Sequence, residues 1–143
     1  MSLSGTYDTD NIFAKILRGE MPCVKIHEDH DMIVFMDVFP QSKGHILVVP
    51  KAPSRNLLDV APKNIGRLFG TVQRMASAVN KALKPDGIIV TQFNGAPAGQ
   101  TVFHTHVHII PRYEGYAAKP HASGDMADMA ELEAIAVKIR AAL

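Results

Sequence analysis

The segment from Pro62 to Leu83 limits the possible folds of this chain most strongly, because it is long and apolar on one side only. Proline suits the first turn of a helix. Apolar residues then recur at helical spacing: Ile65, Leu68, Phe69, Val72, Met75, Ala76, Val79 and Leu83. The pattern predicts one helix of about six turns. A helix of this kind must pack its apolar side against another layer of structure.

Short apolar runs bounded by turn residues predict the second layer. The predicted strands are residues 24–28, 32–36, 45–49, 88–93 and a histidine-containing strand that ends at Pro111. The connections between the first three strands are short, which favours an antiparallel sheet.

Two further helices complete the predicted fold. The first covers residues 11–18, with Asp10 or Asn11 as its N-cap and Gly19 at its end. The last one follows the loop 112–125, and its predicted inner face consists of Met129, Leu132, Ala136, Ile139 and Leu143. We therefore predict an α+β domain with a five-stranded antiparallel meander, a short N-terminal helix, one long helix and a C-terminal helix, the helices lying to one side.

Length and composition favour a single globular domain. The chain has 143 residues, of which 47% are hydrophobic, and its formal net charge is +1. This charge predicts no nucleic-acid or membrane partner, so an anionic ligand must be held locally. We expect one domain over residues 1–143, with a flexible N-terminus (1–10) and a C-terminal extension (113–143). The single cysteine, Cys23, and a polar N-terminus without an apolar core predict a cytoplasmic protein without disulfides or signal peptide.

Three histidines alternate in the stretch His104-Thr105-His106-Val107-His108-Ile109-Ile110. In a strand, alternate side chains share one face, here about 6.6 Å apart at ~3.3 Å per residue. The histidines are then expected on the open side of the sheet, and Phe103, Thr105, Val107 and Ile109 in the core. Three interpretations are possible: a solvated strand face, a metal site with His45 as a further ligand, or phosphoryl chemistry on an imidazole nitrogen.

The loop before this stretch, residues 94–100 with sequence NGAPAGQ, favours phosphoryl chemistry. Gly95 and Gly99 let backbone amides approach phosphate oxygens closely. Asn94, Gln100 and Thr101 add polar groups at the same place. The loop and the histidines together predict an anion site next to a nucleophile.

The histidine stretch resembles the His-x-His-x-His signature of the histidine triad family, with an apolar residue or Thr105 at each intervening position. Residues 11–51 are similar to the N-terminal half of that family, and residues 94–112 to its active-site half. The closest likeness is to the Hint-like branch, whose members hydrolyse nucleoside phosphoramidates and related nucleotidyl compounds. The resemblance implies a fold of the same type.

The resemblance also implies catalytic roles. His106 would be the nucleophile and would become transiently nucleotidylated. His108 would contact the α-phosphate or bridging atom and help the leaving group to depart. His104 would orient His106 and set its tautomer, together with His45, and the Thr101 hydroxyl would reach the leaving group.

A nucleotide pocket follows from the same resemblance. Asp37 would accept hydrogen bonds from the ribose hydroxyls, and Asn94 would contact the sugar or phosphate. Phosphate would be held by Gln100 and by amides near Gly99 and Val102. The apolar slot for the base would consist of Ile12, Phe13, Ile16, Phe35 and Val38.

The family likeness further implies a homodimer, in which two sheets join and the long helices pack together. Many bacterial members bind zinc through two cysteines of the first helix and two histidines. The corresponding positions here are Asn11 and Ala14, while His45 and His104 remain. We therefore predict neither a metal nor a cofactor, and the longer tail after Tyr113 leaves the leaving group open.

The expected activity is hydrolysis of a purine nucleotidyl conjugate at the α-phosphate, releasing a nucleoside monophosphate such as AMP. Two alternatives remain at this stage. One is a dinucleoside polyphosphate hydrolase, and the other is a nucleotide-binding regulatory protein in which catalysis is vestigial.

Overall fold

A five-stranded antiparallel sheet and three α-helices make up residues 3–143, the part of the chain that the computed structural model describes. In chain order the elements are α1 (Ile12–Leu17), β1 (Lys25–Glu28), β2 (Met32–Met36), β3 (Ile46–Pro50), α2 (Pro62–Leu83), β4 (Gly87–Thr91), β5 (Val107–Arg112) and α3 (Met129–Ala141). Short 3₁₀ turns occupy Leu57–Asp59 and Ala96–Ala98. The predicted α+β fold is confirmed.

The order of the strands in the sheet is β1-β2-β3-β5-β4. The first three strands form the expected meander. The long helix α2 then leads to β4 at the far edge of the sheet, so the position next to β3 is skipped. β5 returns between β3 and β4 and pairs antiparallel with both. The sheet therefore departs from a simple meander at its last two strands.

The two faces of the sheet carry separate apolar clusters. α2 and α3 cover one face and bury residues such as Val34, Val48 and Ile109. α1 lies on the other face, where Phe13 packs with a second cluster that includes Phe35 and Leu47. The expectation that all helices lie on one side is thus wrong for α1.

The helices match their predicted bounds closely. The Asn11 side chain accepts a hydrogen bond from the amide of Ala14 and caps α1. The inner face of α3 consists of Leu132, Ala136 and Ile139, whereas the ends expected to be buried, Met129 and Leu143, are exposed. No helix among residues 3–143 combines the length and the apolar character needed to cross a membrane.

The histidine stretch departs most from its prediction, because β5 begins only at Val107. The β3–β5 ladder ends at the pair Val48 and Val107. Beyond it, the carbonyl of Pro50 accepts a hydrogen bond from the His104 ring instead of from a strand amide. The amide of Thr105 donates to the carbonyl of Ser54. Of the three histidines, only His108 lies in a strand.

Hydrogen bonds tie the N-terminal segment to the rest of the fold. The carbonyl of Leu3 accepts a hydrogen bond from Asn56 Nδ2, and the Tyr7 hydroxyl bonds the His104 ring. The flexibility of residues 1–10 stays a prediction. Met1 and Ser2, which that prediction also covers, lie outside the described residues.

Candidate active site

The ends of three adjacent strands bring a carboxylate and two imidazoles together. Asp37 follows β2, His45 precedes β3, and His108 lies in β5. Since β3 is hydrogen-bonded to both of its neighbours, the three side chains meet at one place. His45 and His108 are fully or almost fully buried, and Asp37 is largely so.

Hydrogen bonds fix the protons of His45 and His108. The backbone amide of Gln41 can only donate, and it lies 3.0 Å from His45 Nδ1. In its neutral form His45 therefore carries its proton on Nε2, which lies 2.9 Å from His108 Nδ1 and 3.3 Å from an Asp37 carboxylate oxygen. His108 Nδ1 then accepts, and the proton of neutral His108 is on Nε2. This Nε2 is buried and has no hydrogen-bond partner in the described part of the chain.

The middle histidine has the opposite tautomer. His106 Nδ1 lies 2.6 Å from the carbonyl oxygen of His104, which can only accept. The neutral His106 ring therefore carries its proton on Nδ1 and an unshared electron pair on Nε2. Its ring centroid lies 5.0 Å from that of His108.

His104 has both ring nitrogens occupied by the protein. Its Nε2 donates to the carbonyl of Pro50 at 2.7 Å. Its Nδ1 therefore accepts the hydroxyl proton of Tyr7 at 2.5 Å. The ring of Tyr7 also stands edge-on to His104, with centroids 5.6 Å apart.

Burial keeps all four imidazoles neutral around pH 7. Desolvation is the main cause that lowers the pKa of His106 and of His45 from 6.5 to about 4. Burial and then the neighbouring His106, His45 and His121 lower the pKa of His108 to about 2. Burial also lowers the pKa of His104. The unprotonated form of the His106 imidazole is thus the resting form.

The expected open face is in fact covered. His104, His106 and His108 are each no more than 5% exposed. Phe13 of α1 stands perpendicular to the His106 ring at 4.8 Å and contacts Phe35 at 5.4 Å. The polar side of the histidine stretch therefore lies beneath aromatic rings rather than on an open surface.

The polar groups of the loop 94–100 form hydrogen bonds within the protein. Gln100 is buried, its Oε1 accepts from the amide of Gly95, and its Nε2 donates to the carbonyls of Arg55 and Val102. The amide of Gly99 donates to the carbonyl of Ala96, and that of Gln100 to Gly95. Without a ligand both groups stabilise the loop, and their phosphate contacts stay a prediction.

Asn94 has a similar bracing role. Its Oδ1 accepts from the amide of Leu57 at 2.9 Å and from Gln92 Nε2 at 2.8 Å. These bonds join the loop to the 3₁₀ turn that follows β3. The side chain is thus directed at the protein, where a sugar or phosphate contact was predicted.

The predicted base slot is brought together only in part. Phe13 and Phe35 are buried in one cluster with Ile16 at its margin, and Ile12 is 42% exposed. Val38 does not join them, because it packs against the cluster on the opposite face of the sheet. Two further predicted site residues precede the histidines: Thr101 is exposed and Val102 half-buried.

Three aromatic residues at the site were missed. Tyr7 contacts His104, and Phe93 lies 5.5 Å from His108 between ring centroids. His121, from the segment after β5, stands edge-on to His108 at 5.0 Å. His121 is distant from the triad in sequence, and only its residue type could have suggested it.

The residues implied for a family zinc site do not fit a metal. Asn11 caps α1 with its side chain, Ala14 has no donor atom, and both nitrogens of His104 bond the protein. A different group, Asp37, His45 and His108, places one potential ligand atom from each residue within 4.8 Å of the others. These atoms bond one another and His45 Nδ1 holds the Gln41 amide, so a metal would have to replace existing hydrogen bonds.

Comparisons with known proteins agree with the fold. The HIT domain family matches residues 18–115. A solved structure of a HIT-like protein from Bartonella henselae, described as involved in cell-cycle regulation, has a TM-score of 0.89 and 49% identity. The likeness covers 96% of this chain and all of that one.

Two curated relatives have named activities. The adenylylsulfatase HINT3 of Arabidopsis thaliana is 40% identical over 111 residues, which are 78% of this chain and 56% of that protein. The chain thus spans little more than half of the plant protein. The adenosine 5'-monophosphoramidase hnt1 of Schizosaccharomyces pombe is 39% identical over 101 residues, 71% of this chain and 73% of that protein.

Proposed function

This chain belongs to the HIT domain family, and on that premise we propose that it cleaves nucleotidyl conjugates at the α-phosphate. The products are a nucleoside monophosphate and the freed leaving group. Relatives named as a phosphoramidase and as an adenylylsulfatase support a hydrolase that acts on such conjugates.

The observation that carries the proposal is the tautomer of His106. The carbonyl of His104 holds the proton on Nδ1, so the electron pair on Nε2 is available for attack. Burial lowers the pKa of this imidazole to about 4, so the attacking form predominates at pH 7. A neutral, oriented imidazole is the requirement for nucleophilic attack on phosphorus.

The proposed reaction has two steps. First, His106 Nε2 forms a bond to phosphorus, and the bond from phosphorus to the leaving group breaks with its electron pair staying on the departing atom. That atom takes the proton of His108 Nε2, and the negative charge left on the His108 ring is balanced by the positive charge that the His106 ring gains on bonding phosphorus. Water then attacks phosphorus, the electron pair of the N–P bond returns to His106, and the proton released by water restores His108.

Nucleotide recognition is proposed for the residues around Phe13. The base would lie against Phe13, Phe35 and Ile16, and Ile12 would cover it from the solvent side. Asp37 would accept the ribose hydroxyls with the lone pairs not used by His45 and by the amide of Phe39. Thr101 would offer its exposed hydroxyl to the leaving group.

A panel of conjugates tests the proposal. Adenosine 5'-phosphoramidate, adenylyl sulfate and a diadenosine polyphosphate are compared at equal concentration by release of AMP, with His106→Ala as the inactive control. We expect AMP from the first two and loss of turnover in the variant. Absence of AMP from every conjugate would contradict the proposal.

The panel also addresses the alternatives. Preference for diadenosine polyphosphate would assign the chain to the dinucleoside polyphosphate hydrolases. Tight AMP binding without turnover of any conjugate would favour a nucleotide-binding regulatory protein. Repeating the panel with guanosine conjugates measures the preference among purines.

A homodimer is proposed from the edge strand. β4 pairs only with β5 within the described chain, and its Ile89 and Val90 are 40% and 45% exposed. Phe69 of α2 is exposed as well. A second copy would pair with this edge and cover these apolar side chains. A cytoplasmic location likewise remains our proposal.

A further inference from the structure

His121 is a further imidazole beside the histidine triad and His45, and the reaction proposed above does not use it. Its ring stands at 80° to that of His108, with centroids 5.0 Å apart. It also contacts Phe93, at 4.9 Å. The segment that carries it, between β5 and α3, thus reaches into the site.

Backbone hydrogen bonds set the position of this segment. The amide of Lys119 donates to the carbonyl of Gln41, and the amide of Ala127 donates to the carbonyl of Val38, both at 2.8 Å. The loop that accepts these bonds begins after Asp37 and leads into His45. His121 is therefore placed relative to the cluster by the same loop that places its other members.

The proton positions make His121 a hydrogen-bond donor. The side-chain amide nitrogen of Gln41 lies 3.3 Å from His121 Nδ1, which therefore accepts. The proton of the neutral ring is then on Nε2, which is buried and has no hydrogen-bond partner among residues 3–143. His108 Nε2 is in the same state. A buried polar atom without a partner is destabilising, so the two donors together indicate an acceptor supplied by a ligand.

The order of the rings indicates which ligand atom this acceptor is. The ring of His108 contacts those of both His106 and His121. The remaining ring contact of His106 is with Phe13, whereas that of His121 is with Phe93. In a displacement at phosphorus the attacking and departing atoms are roughly in line. His121 adjoins His108, the group that protonates the departing atom in the proposed reaction, so both N–H groups are near one place.

We infer that His121 belongs to the reaction site and that its Nε2–H donates a hydrogen bond to the departing atom of the leaving group. The inference rests on the proposed hydrolase function. As the bond to phosphorus breaks, the departing atom keeps the electron pair and takes its proton from His108, while His121 retains its own proton. This hydrogen bond increases the rate most for a basic departing atom such as an alkylamine nitrogen. It increases the rate least for p-nitrophenolate, which is stable as an anion.

Two AMP conjugates that differ only in the leaving group test the inference: an alkylamine phosphoramidate and the p-nitrophenyl ester. For His121→Ala we expect kcat/KM to fall about tenfold to a hundredfold on the phosphoramidate, as for loss of one transition-state donor. On the p-nitrophenyl ester we expect a fall of less than about threefold. His121→Gln, which keeps an N–H donor, recovers part of the loss.

The matched control is Tyr116→Ala, in the same segment but 75% exposed, which leaves both rates within about twofold of wild type. Thermal unfolding of each variant establishes that the domain is intact. Equal losses on both conjugates, or no loss on either, overturn the inference. A wild-type chain that cleaves neither conjugate contradicts the proposed function itself, so the two failures are distinguishable.

Discussion

The chemical role of each histidine in this site depends on which ring nitrogen carries the proton. The carbonyl of His104 and the amide of Gln41 each bond one ring nitrogen, and each can act in one direction only. As a result, the Nε2 atom of His106 has an unshared electron pair, whereas that of His108 carries a proton. Two neighbouring imidazoles thus have opposite chemical characters, which suits attack on phosphorus and release of the leaving group respectively.

The buried histidines predict a loss of stability in mild acid. Their pKa in the folded chain, about 4 for His106 and His45, is below the unfolded value of 6.5. Between these values the unfolded chain binds more protons, so the free energy of unfolding falls as the pH drops from about 6.5 towards 4. Thermal unfolding from pH 8 to pH 4 measures this.

The matched variant for this titration is His30→Gln, because the side chain of His30 is 98% exposed. It should follow the wild-type curve. A melting temperature that stays constant down to pH 4.5 would be incompatible with buried neutral histidines. The carboxylates of Glu28 and Asp29 have pKa values of about 2 in the folded chain. The stability that they contribute is therefore lost mainly below the pH range of this measurement.

Tyr7→Phe isolates one hydrogen bond to His104. The variant keeps the ring and leaves His104 Nδ1 without its donor. We expect the free energy of unfolding in urea to decrease by about 1–2 kcal/mol, because a buried acceptor loses its partner. Tyr116→Phe, at an exposed position, should change stability by less than about 0.5 kcal/mol. Equal stability of Tyr7→Phe and wild type would show that the contact contributes nothing.

At the scale of elements, the segment before β5 explains why the histidines are not simply alternate residues of one strand. The ring of His104 takes the Pro50 carbonyl, and Thr105 bonds Ser54 through its amide. These bonds replace strand pairing just before Val107. The approach of the His104 carbonyl to the His106 ring occurs in this irregular segment.

Gly99 is the point at which the loop 94–100 lies against the ring of Phe93. Its φ is +112°, and a Cβ added there would lie 3.3 Å from a ring carbon of Phe93, which contacts His108 and His121. Gly99→Ala should therefore destabilise the chain by about 1–3 kcal/mol and lower kcat/KM.

Gly115→Ala is the control for backbone strain alone, since φ there is +81° and nothing lies within 4 Å of the added Cβ. It should be destabilised by less, with kcat/KM close to wild type. The same loss of kcat/KM in both alanine variants would count against a specific contact between the loop and Phe93.

The helices and strands were predictable because their signals are local. Helix α2 is found at its predicted bounds, and Asn11 caps α1 as its residue type suggests. The partners of Gln100 were not predictable, because they depend on the approach of Arg55, which is far away in sequence. His121 was missed for the same reason, since only the folded chain brings it to His108.

At the scale of the whole molecule, the crossover through α2 determines which strand is left at the edge. Because β5 inserts between β3 and β4, the histidine strand is central and β4 is peripheral. A central strand is held from both sides, which suits a residue such as His108 whose position matters. The peripheral strand instead presents apolar side chains to the surface.

The edge strand predicts the assembly state. Val90→Lys places a charge among the exposed apolar groups of β4, and we expect it to convert a dimer into a monomer. Light scattering coupled to size exclusion measures the mass, which for one chain is 15.6 kDa. Val137→Lys, on the exposed side of α3, serves as the control and should leave the mass unchanged. A wild-type chain that elutes as a monomer at high concentration would refute the proposed dimer.

The central claim is that His106 attacks phosphorus and carries the nucleotidyl group. Its most direct test is rapid quenching of the enzyme during turnover of a labelled nucleoside phosphoramidate, followed by peptide mass spectrometry. We expect an acid-labile nucleotidyl group on His106 that is absent from His106→Ala. An active enzyme with no such adduct at any quench time, or with the adduct on another residue, would contradict it.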